Sequence, residues 1–254
     1  MPAVLRLVVV VVVLVLLARA ARVAWRNRPL AFAIWRRIRP RHVVGSLGLI
    51  GVVLASALTF LHFVPVTRLG LGSLIGLSGN AVFAPIEEAA MRSNGAVGAG
   101  DAAAGVAMGP GLWVVLLTVG FLAGLVLLFP WLAYVEERVF REGLEEATFG
   151  RQVWSALKFG LIHMIMLIPL AAALAVGVAG FAYGRIYRRA YRRAASRTQA
   201  VQGPFGIPVV TTPPPAQLRA HAVLESTVWH TTFNSTIVVL VLIGFVSDWL
   251  LRTA

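Results

Sequence analysis

Two adjacent glutamates, Glu136 and Glu137, stand at the end of a long apolar run, 111-GLWVVLLTVGFLAGLVLLFPWLAY-134. A carboxylate partly shielded from water can act as a general base, taking a proton from the water that attacks a carbonyl carbon. Charge at the edge of an apolar segment costs free energy, so it calls for an explanation. The stretch 135-VEERVFREG-143 therefore indicates either a cap that faces water or a group that does chemistry.

Helical spacing separates the two glutamates. Glu137 and Arg141 are four residues apart, so they share one face of a helix and can form an ion pair. Glu136 points roughly 100° away from Glu137 at 3.6 residues per turn. The spacing predicts that Arg141 neutralises Glu137 and that Glu136 stays free.

Two further apolar segments carry polar side chains that are rare inside a membrane span. His163 lies in the first, and His230 and Asn234 lie four residues apart in the second, which places the latter two on one helix face. Taken singly, each is as well explained by packing or by interhelical hydrogen bonding. If the three segments pack together, four side chains can meet in one polar pocket: Glu136, His163, His230 and Asn234.

The composition identifies the elements that must position these residues. Hydrophobic residues make up 59% of the 254, and charged residues 13%, about half the share of a soluble domain. This favours an all-α polytopic bundle of transmembrane helices in one membrane domain. Windows of about 20 residues give six spans. They lie near 3–19, 43–65, 111–134, 153–169, 170–187 and 222–250, with the fourth and fifth separated at Pro169.

The net charge of +13 is interpreted as membrane topology and not as nucleic-acid binding. With the N-terminus outside, 19 of the 23 basic residues fall in the inner segments 19–42, 135–158 and 185–221. The basic stretch 185-RIYRRAYRRAASR-197 is expected to contact anionic lipid headgroups. The arginine content and the lack of a eukaryotic targeting signal favour a prokaryotic plasma membrane.

The chain divides into two parts by pattern. Residues 1–110 hold two spans, a basic loop and a Gly/Ala-rich segment, whereas 111–254 hold the polar motifs. Five prolines within 198–221 predict a poorly regular insert. There is no cysteine, so disulfides and a cysteine nucleophile are excluded. There is also no HExxH zinc signature.

Three motifs follow one another along the second part: Glu136-Glu137-x-x-x-Arg141, Phe159-x-x-x-His163 and His230-x-x-x-Asn234. Together with 140-FREG-143, this ordered set resembles the CPBP family. That family includes the type II CAAX prenyl proteases and the bacteriocin-processing and self-immunity (Abi) proteins. The resemblance covers roughly residues 111–250, and it departs from the family pattern in the long Pro-rich link before the third motif.

The resemblance implies an intramembrane endopeptidase of glutamic type, with no cofactor and no metal ion. Its substrate would be a peptide or a membrane protein, prenylated or not. Water would be activated by Glu136 and His163, and the oxyanion would be stabilised by His230 and Asn234. The implied structural support comes from Glu137, Arg141 and Phe159.

Several alternatives remain open at this level. Glu136, His163 and His230 could be three zinc ligands with an open fourth position. A non-catalytic immunity or scaffold protein could bind a peptide in the same pocket. A proton-coupled transporter ranks lower, because no internal repeat is visible. The spacing of the first motif also occurs at 87-EEAAMR-92, which is interpreted as a decoy.

Overall fold

The computed structural model describes residues 2–70, 112–197, 199–202, 208–211 and 213–253. Within these residues the chain is helical apart from one short β-hairpin. The helices are α1 (Pro2–Arg26), α2 (Arg28–Trp35), α3 (Pro40–Phe63), α4 (Leu112–Arg141), α5 (Phe149–Ile162), α6 (Leu170–Ala195) and α7 (Pro215–Thr253). The hairpin consists of β1 (Gln199–Gln202) and β2 (Pro208–Thr211), and 3₁₀ turns occupy Pro65–Arg68 and His163–Met166.

Five of the described helices are long and apolar enough to cross a membrane: α1, α3, α4, α6 and α7. The sequence predicts about six spans, and α5 accounts for the difference. It has 14 residues, about 21 Å of helix, against a hydrocarbon core of about 30 Å. It ends at the His163–Met166 turn, Leu167 adopts a left-handed conformation (φ 66°), and α6 starts directly after Pro169.

Large apolar side chains cover the outside of the bundle. Leu58, Trp113, Leu127 and Leu251 are each more than half exposed, and they lie on three different helices, α3, α4 and α7. A soluble protein would bury most such side chains, whereas a lipid-facing surface needs them. Together with the five long apolar helices, this identifies a multi-pass membrane protein.

Helix α6 occupies the centre of the bundle, and α3, α5 and α7 pack against it. Small side chains on its first half permit close approach. The tightest approach is to α5, where a Cβ on Gly160 would overlap the carbonyl oxygen of Ala173 and the backbone of Gly177. This approach fixes the end of α5, and with it His163, against α6.

The Pro-rich insert is more regular than predicted. Strands β1 and β2 pair antiparallel, from Gln199 with Thr211 to Gln202 with Pro208. Helix α7 then begins at Pro215, well before the apolar segment expected from residue 222. Prolines are tolerated at both places, because the first residue of a strand and the first turn of a helix need no amide donor there.

A short segment joins α4 to α5 and ties both to the rest of the bundle. Helix α4 stops where Gly143 takes a left-handed conformation (φ 89°), which glycine adopts without strain. Thr148 caps the start of α5 by accepting a hydrogen bond from the Arg151 amide. Between them, the buried Glu145 accepts hydrogen bonds from Tyr187 on α6 and from Arg219 on α7.

Candidate active site

The last turns of α4 place the first motif inside the bundle. Glu137 and Arg141 are both completely buried, and Arg141 Nε lies 3.6 Å from Glu137 Oε2. The guanidinium carbon of Arg141 also lies 4.6 Å from the centre of the Phe159 ring, a cation–π contact with α5. The ion pair predicted from the i,i+4 spacing is therefore present within α4, and the contact of Arg141 with Phe159 joins α4 to α5.

Helix α7 supplies the other partners of Glu137. The Ser226 hydroxyl donates to Glu137 Oε2, and His230 Nδ1 lies 3.0 Å from Glu137 Oε1. Ser226, His230 and Asn234 are spaced by four residues, so they follow one face of α7. Each carboxylate oxygen of Glu137 thus has a hydrogen-bond donor, which suits a buried charge.

The second ring nitrogen of His230 faces the other glutamate. A carboxylate only accepts hydrogen bonds, so the proton shared with Glu137 belongs to His230 Nδ1. His230 Nε2 lies 3.6 Å from Glu136 Oε2. Tyr183 stacks on the imidazole at 4.6 Å between centroids, and Phe159 meets it edge-on at 5.6 Å. These neighbours fix both the plane and the position of the ring.

Glu136 is less enclosed than its neighbour. Its side chain is 34% exposed, compared with 0% for Glu137. Its Oε2 atom is buried and has no hydrogen-bond partner among the described residues. One glutamate is therefore neutralised by Arg141 while the other keeps a free acceptor beside His230 Nε2, in agreement with the 100° separation expected on a helix.

His163 reaches this cluster only indirectly. It follows the last residue of α5, and its Nδ1 lies 2.7 Å from the Phe159 carbonyl oxygen, which accepts its proton. In the neutral ring Nε2 then carries the lone pair. The Phe159 ring meets the imidazole of His163 edge-on at 4.8 Å. Within the described chain, no hydrogen bond or ion pair joins His163 to Glu136 or His230.

The expected pocket is thus assembled in part. Arg141 contacts Glu137, and His230 contacts both Glu137 and Glu136. The Phe159 ring meets both histidines edge-on. Asn234 is partly buried on the next turn of α7 after His230. The structure therefore brings His230 to the first motif and leaves His163 one aromatic ring away, and no described hydrogen bond or ion pair joins Asn234 to these residues.

The zinc alternative has no ligand set in the described part of the chain. A catalytic zinc site needs three ligand atoms at about 2 Å from one ion. No group of three or more His, Asp or Glu side chains there is close enough to hold one. The Phe159 ring, which separates His163 from Glu136 and His230, is the physical reason.

Two residues at this site, Ser226 and Tyr183, do not belong to the three motifs. Ser226 could have been found by extending the His230–Asn234 face of α7 one turn backwards. Tyr183 and Tyr187 are four residues apart, and Tyr187 lies within 185–197, the stretch interpreted as a basic helix extension. The tyrosine spacing marks a buried face of α6, since both rings are almost completely covered.

Comparisons of the chain with protein-family models, with curated proteins and with solved structures found no match. The resemblance to the CPBP family therefore rests on the three short motifs. The second copy of the first motif, 87-EEAAMR-92, lies outside the described residues. In the copy at residues 136–141, the side chains of Glu136 and Glu137 both contact His230. These contacts favour this copy over the other as part of the candidate site.

Proposed function

We propose that this protein is an intramembrane endopeptidase of the CPBP type, with Glu136 as the general base. The observation that carries the proposal is the arrangement of Glu136 and His230. A partly exposed carboxylate with an unpartnered oxygen stands 3.6 Å from an imidazole nitrogen whose ring is held by Glu137 and Tyr183. A single water at about 2.8 Å from each atom can contact both.

In the proposed reaction, Glu136 takes a proton from that water as its oxygen attacks the carbonyl carbon of the substrate peptide. The electron pair of the carbonyl bond moves to oxygen, giving a tetrahedral oxyanion. The carbon–nitrogen bond then breaks while Glu136 returns the proton to the leaving amine. The products are a carboxylic acid and an amine, which become a carboxylate and an ammonium group by proton transfer, and no oxidant or metal is needed for the balance.

The remaining motif residues act on charge and on water. Asn234 donates through its amide to the oxyanion, one helical turn beyond His230. His230 donates to the oxyanion through Nε2 when that nitrogen also carries a proton, because its Nδ1 proton is engaged by Glu137. His163, whose Nε2 is left as an acceptor, holds a water on the side of the Phe159 ring opposite His230.

The membrane setting is part of the proposal. The N-terminus lies outside, α5 enters the bilayer as a short sixth segment, and the arginines at the end of α6 lie among anionic headgroups on the inner side. The first motif then lies near the inner face of a prokaryotic plasma membrane. Substrates are membrane-associated peptides, with a prenylated tail as one class.

The test uses full-length protein in lipid nanodiscs and a fixed panel of substrates. The panel contains unmodified and farnesylated CAAX-tailed peptides and one single-span membrane peptide, and mass spectrometry reports new termini. We expect cleavage by the wild type, a loss of at least about 10²-fold in Glu136→Gln, and no change with EDTA or 1,10-phenanthroline.

Two variants serve as controls. Glu142→Gln alters an exposed carboxylate six residues further along the chain and should retain full activity. Glu87→Gln alters the second copy of the motif and should do the same. Full activity in Glu136→Gln would overturn the role of Glu136 as base. Cleavage lost with the chelators would favour a metal enzyme, and no cleavage of the panel would favour a peptide-binding immunity or scaffold protein.

A further inference from the structure

The Tyr183 hydroxyl is a buried donor without an acceptor. The residue is 1% exposed, and its hydroxyl has no hydrogen-bond partner among the described residues. A buried hydroxyl without a partner is rare, because it loses its hydrogen bonds to water and gains none in return. Phenylalanine would fill the same space without that cost, so a tyrosine at this position indicates a function for its hydroxyl.

The position of the ring indicates where that use lies. Tyr183 stacks on His230, with the ring planes 20° apart, and meets Phe233 edge-on at 6.1 Å. The ring therefore covers the turn of α7 that leads from His230 to Asn234. That turn carries the two residues proposed to bind the oxyanion.

The directions of the helices agree with this placement. Helices α6 and α7 run antiparallel, since Tyr187 and Arg219 meet at Glu145 while Tyr183 lies beside Ser226 and His230. A side chain on a helix leans toward the N-terminus of that helix. From this lean we expect the Tyr183 hydroxyl to point from the level of His230 toward the level of Asn234.

We propose that Tyr183 is a third hydrogen-bond donor of the site, and that its hydroxyl binds the substrate oxygen that becomes negatively charged during attack. This inference rests on the proposed function and extends it by one substrate-contacting residue. Donors held in place before the reaction stabilise such an oxygen well, because nothing must reorganise as the charge develops. The stack on His230 keeps the phenol in place.

Tyr187 provides a matched control on the same helix. It lies one turn after Tyr183 and is also completely buried, but its hydroxyl donates to Glu145 at 2.9 Å. Tyr183→Phe removes a donor with no partner among the described residues, whereas Tyr187→Phe removes one that is paired. Both changes keep the aromatic ring and its packing.

The experiment measures kcat, KM and the thermal unfolding midpoint of the wild type and both variants in nanodiscs, with the panel substrate that the wild type cleaves. For Tyr183→Phe we expect kcat to fall about 10²-fold, KM to change by less than about threefold, and the midpoint to stay equal or rise. For Tyr187→Phe we expect a lower midpoint and an unchanged kcat per folded molecule. Only a role in the reaction lowers kcat while stability is kept.

Two results would overturn the proposal: a kcat for Tyr183→Phe within twofold of the wild type, or a lower midpoint, which would show that the hydroxyl already has a structural partner. Glu136→Gln separates this outcome from failure of the proposed function. If Glu136→Gln keeps full activity, Glu136 is not the base. The kcat of Tyr183→Phe then still shows whether the Tyr183 hydroxyl donates to the substrate during the reaction. If the wild type cleaves nothing, the proposed function fails and the midpoint decides whether the hydroxyl is paired.

Discussion

Two buried carboxylates, Glu137 and Glu145, lie eight residues apart and have very different surroundings. Each is bound by α7, through His230 and Ser226 in the first case and through Arg219 in the second. Each also lies beside a buried tyrosine of α6. At Glu145 the tyrosine is Tyr187, which donates a hydrogen bond to the carboxylate, and the Arg188 guanidinium donates to the Glu145 carbonyl oxygen. Each of these donors therefore has an acceptor.

Both carboxylate oxygens of Glu137 accept hydrogen bonds, but several polar atoms beside them have no partner among the described residues. Four polar atoms there are buried without a hydrogen-bond partner among the described residues: Glu136 Oε2, Arg141 Nε, Arg141 Nη2 and the Tyr183 hydroxyl. Proteins rarely tolerate such a group, let alone several together, unless the site has a use for them. The contrast favours a structural role for Glu145 and its partners Tyr187, Arg188 and Arg219, here called the Glu145 clasp, and it supports the function proposed for the site at Glu137.

The largest expected effect is on the buried ion pair. Glu137→Gln keeps the shape of the side chain but leaves Arg141 charged and unpaired inside the bundle. Breaking a buried pair on one side costs about 3–5 kcal/mol of unfolding free energy. We expect a loss of that size in SDS-induced unfolding followed by tryptophan fluorescence, together with loss of activity.

The matched control lies on the adjacent face of the same helix. Arg138 and Glu142 form a pair with the same i,i+4 spacing, but their side chains are 57% and 41% exposed. Such a pair contributes at most about 0.5 kcal/mol, so Glu142→Gln should unfold almost as the wild type does. Equal losses in the two variants would show that burial does not distinguish the pairs, and the contrast between the two regions would fail.

Sequence spacing is reliable within one helix and weak between helices. The Glu137–Arg141 pair, the free Glu136 and the shared face of His230 and Asn234 all follow from 3.6 residues per turn. The early end of α5 at His163 does not, because it depends on the close packing of Gly160 against α6 and on the break before Pro169. Hydropathy reports an apolar run and says nothing about where a helix stops.

The partners of the motif residues could not be predicted for a related reason. Periodicity assigns Tyr183 and Ser226 to buried faces, but only the tertiary contacts show that these faces meet at His230 and Glu137. The charge of the basic end of α6 gives no indication that Tyr187, which lies between arginines, is buried, and Tyr183 precedes that stretch in an apolar run. In the same way, five prolines predicted an irregular insert, although two of them stand where a strand or a helix begins.

A smaller effect is expected from the hydroxyl that orients Glu137. Ser226→Ala removes one donor to a buried carboxylate, which should cost about 2 kcal/mol. Activity should fall as well, because His230 depends on Glu137 for its position. Thr232→Ala is the control, since that buried hydroxyl on α7 bonds only to the Val228 carbonyl of its own helix. Matching losses in stability and activity for the two variants would contradict a specific role for Ser226.

The smallest expected effect concerns pH at the Glu145 clasp, outside the apolar spans. Burial raises the pKa of Glu145, but hydrogen bonds from its own backbone amide, Arg219 and Tyr187 outweigh this and hold the pKa below its ordinary value of 4.5. A carboxyl with a depressed folded-state pKa stabilises the fold above the unfolded pKa, and that contribution disappears as the pH falls through the folded value. The unfolding midpoint should therefore drop below about pH 4.5, and Glu145→Gln should be less stable at pH 7 with a flatter acid profile. If the unfolding midpoint of the wild type falls with acid in the same way as that of Glu145→Gln, the Glu145 clasp does not depend on the charge of Glu145. The contrast with the Glu137 site would then rest on hydrogen bonding alone.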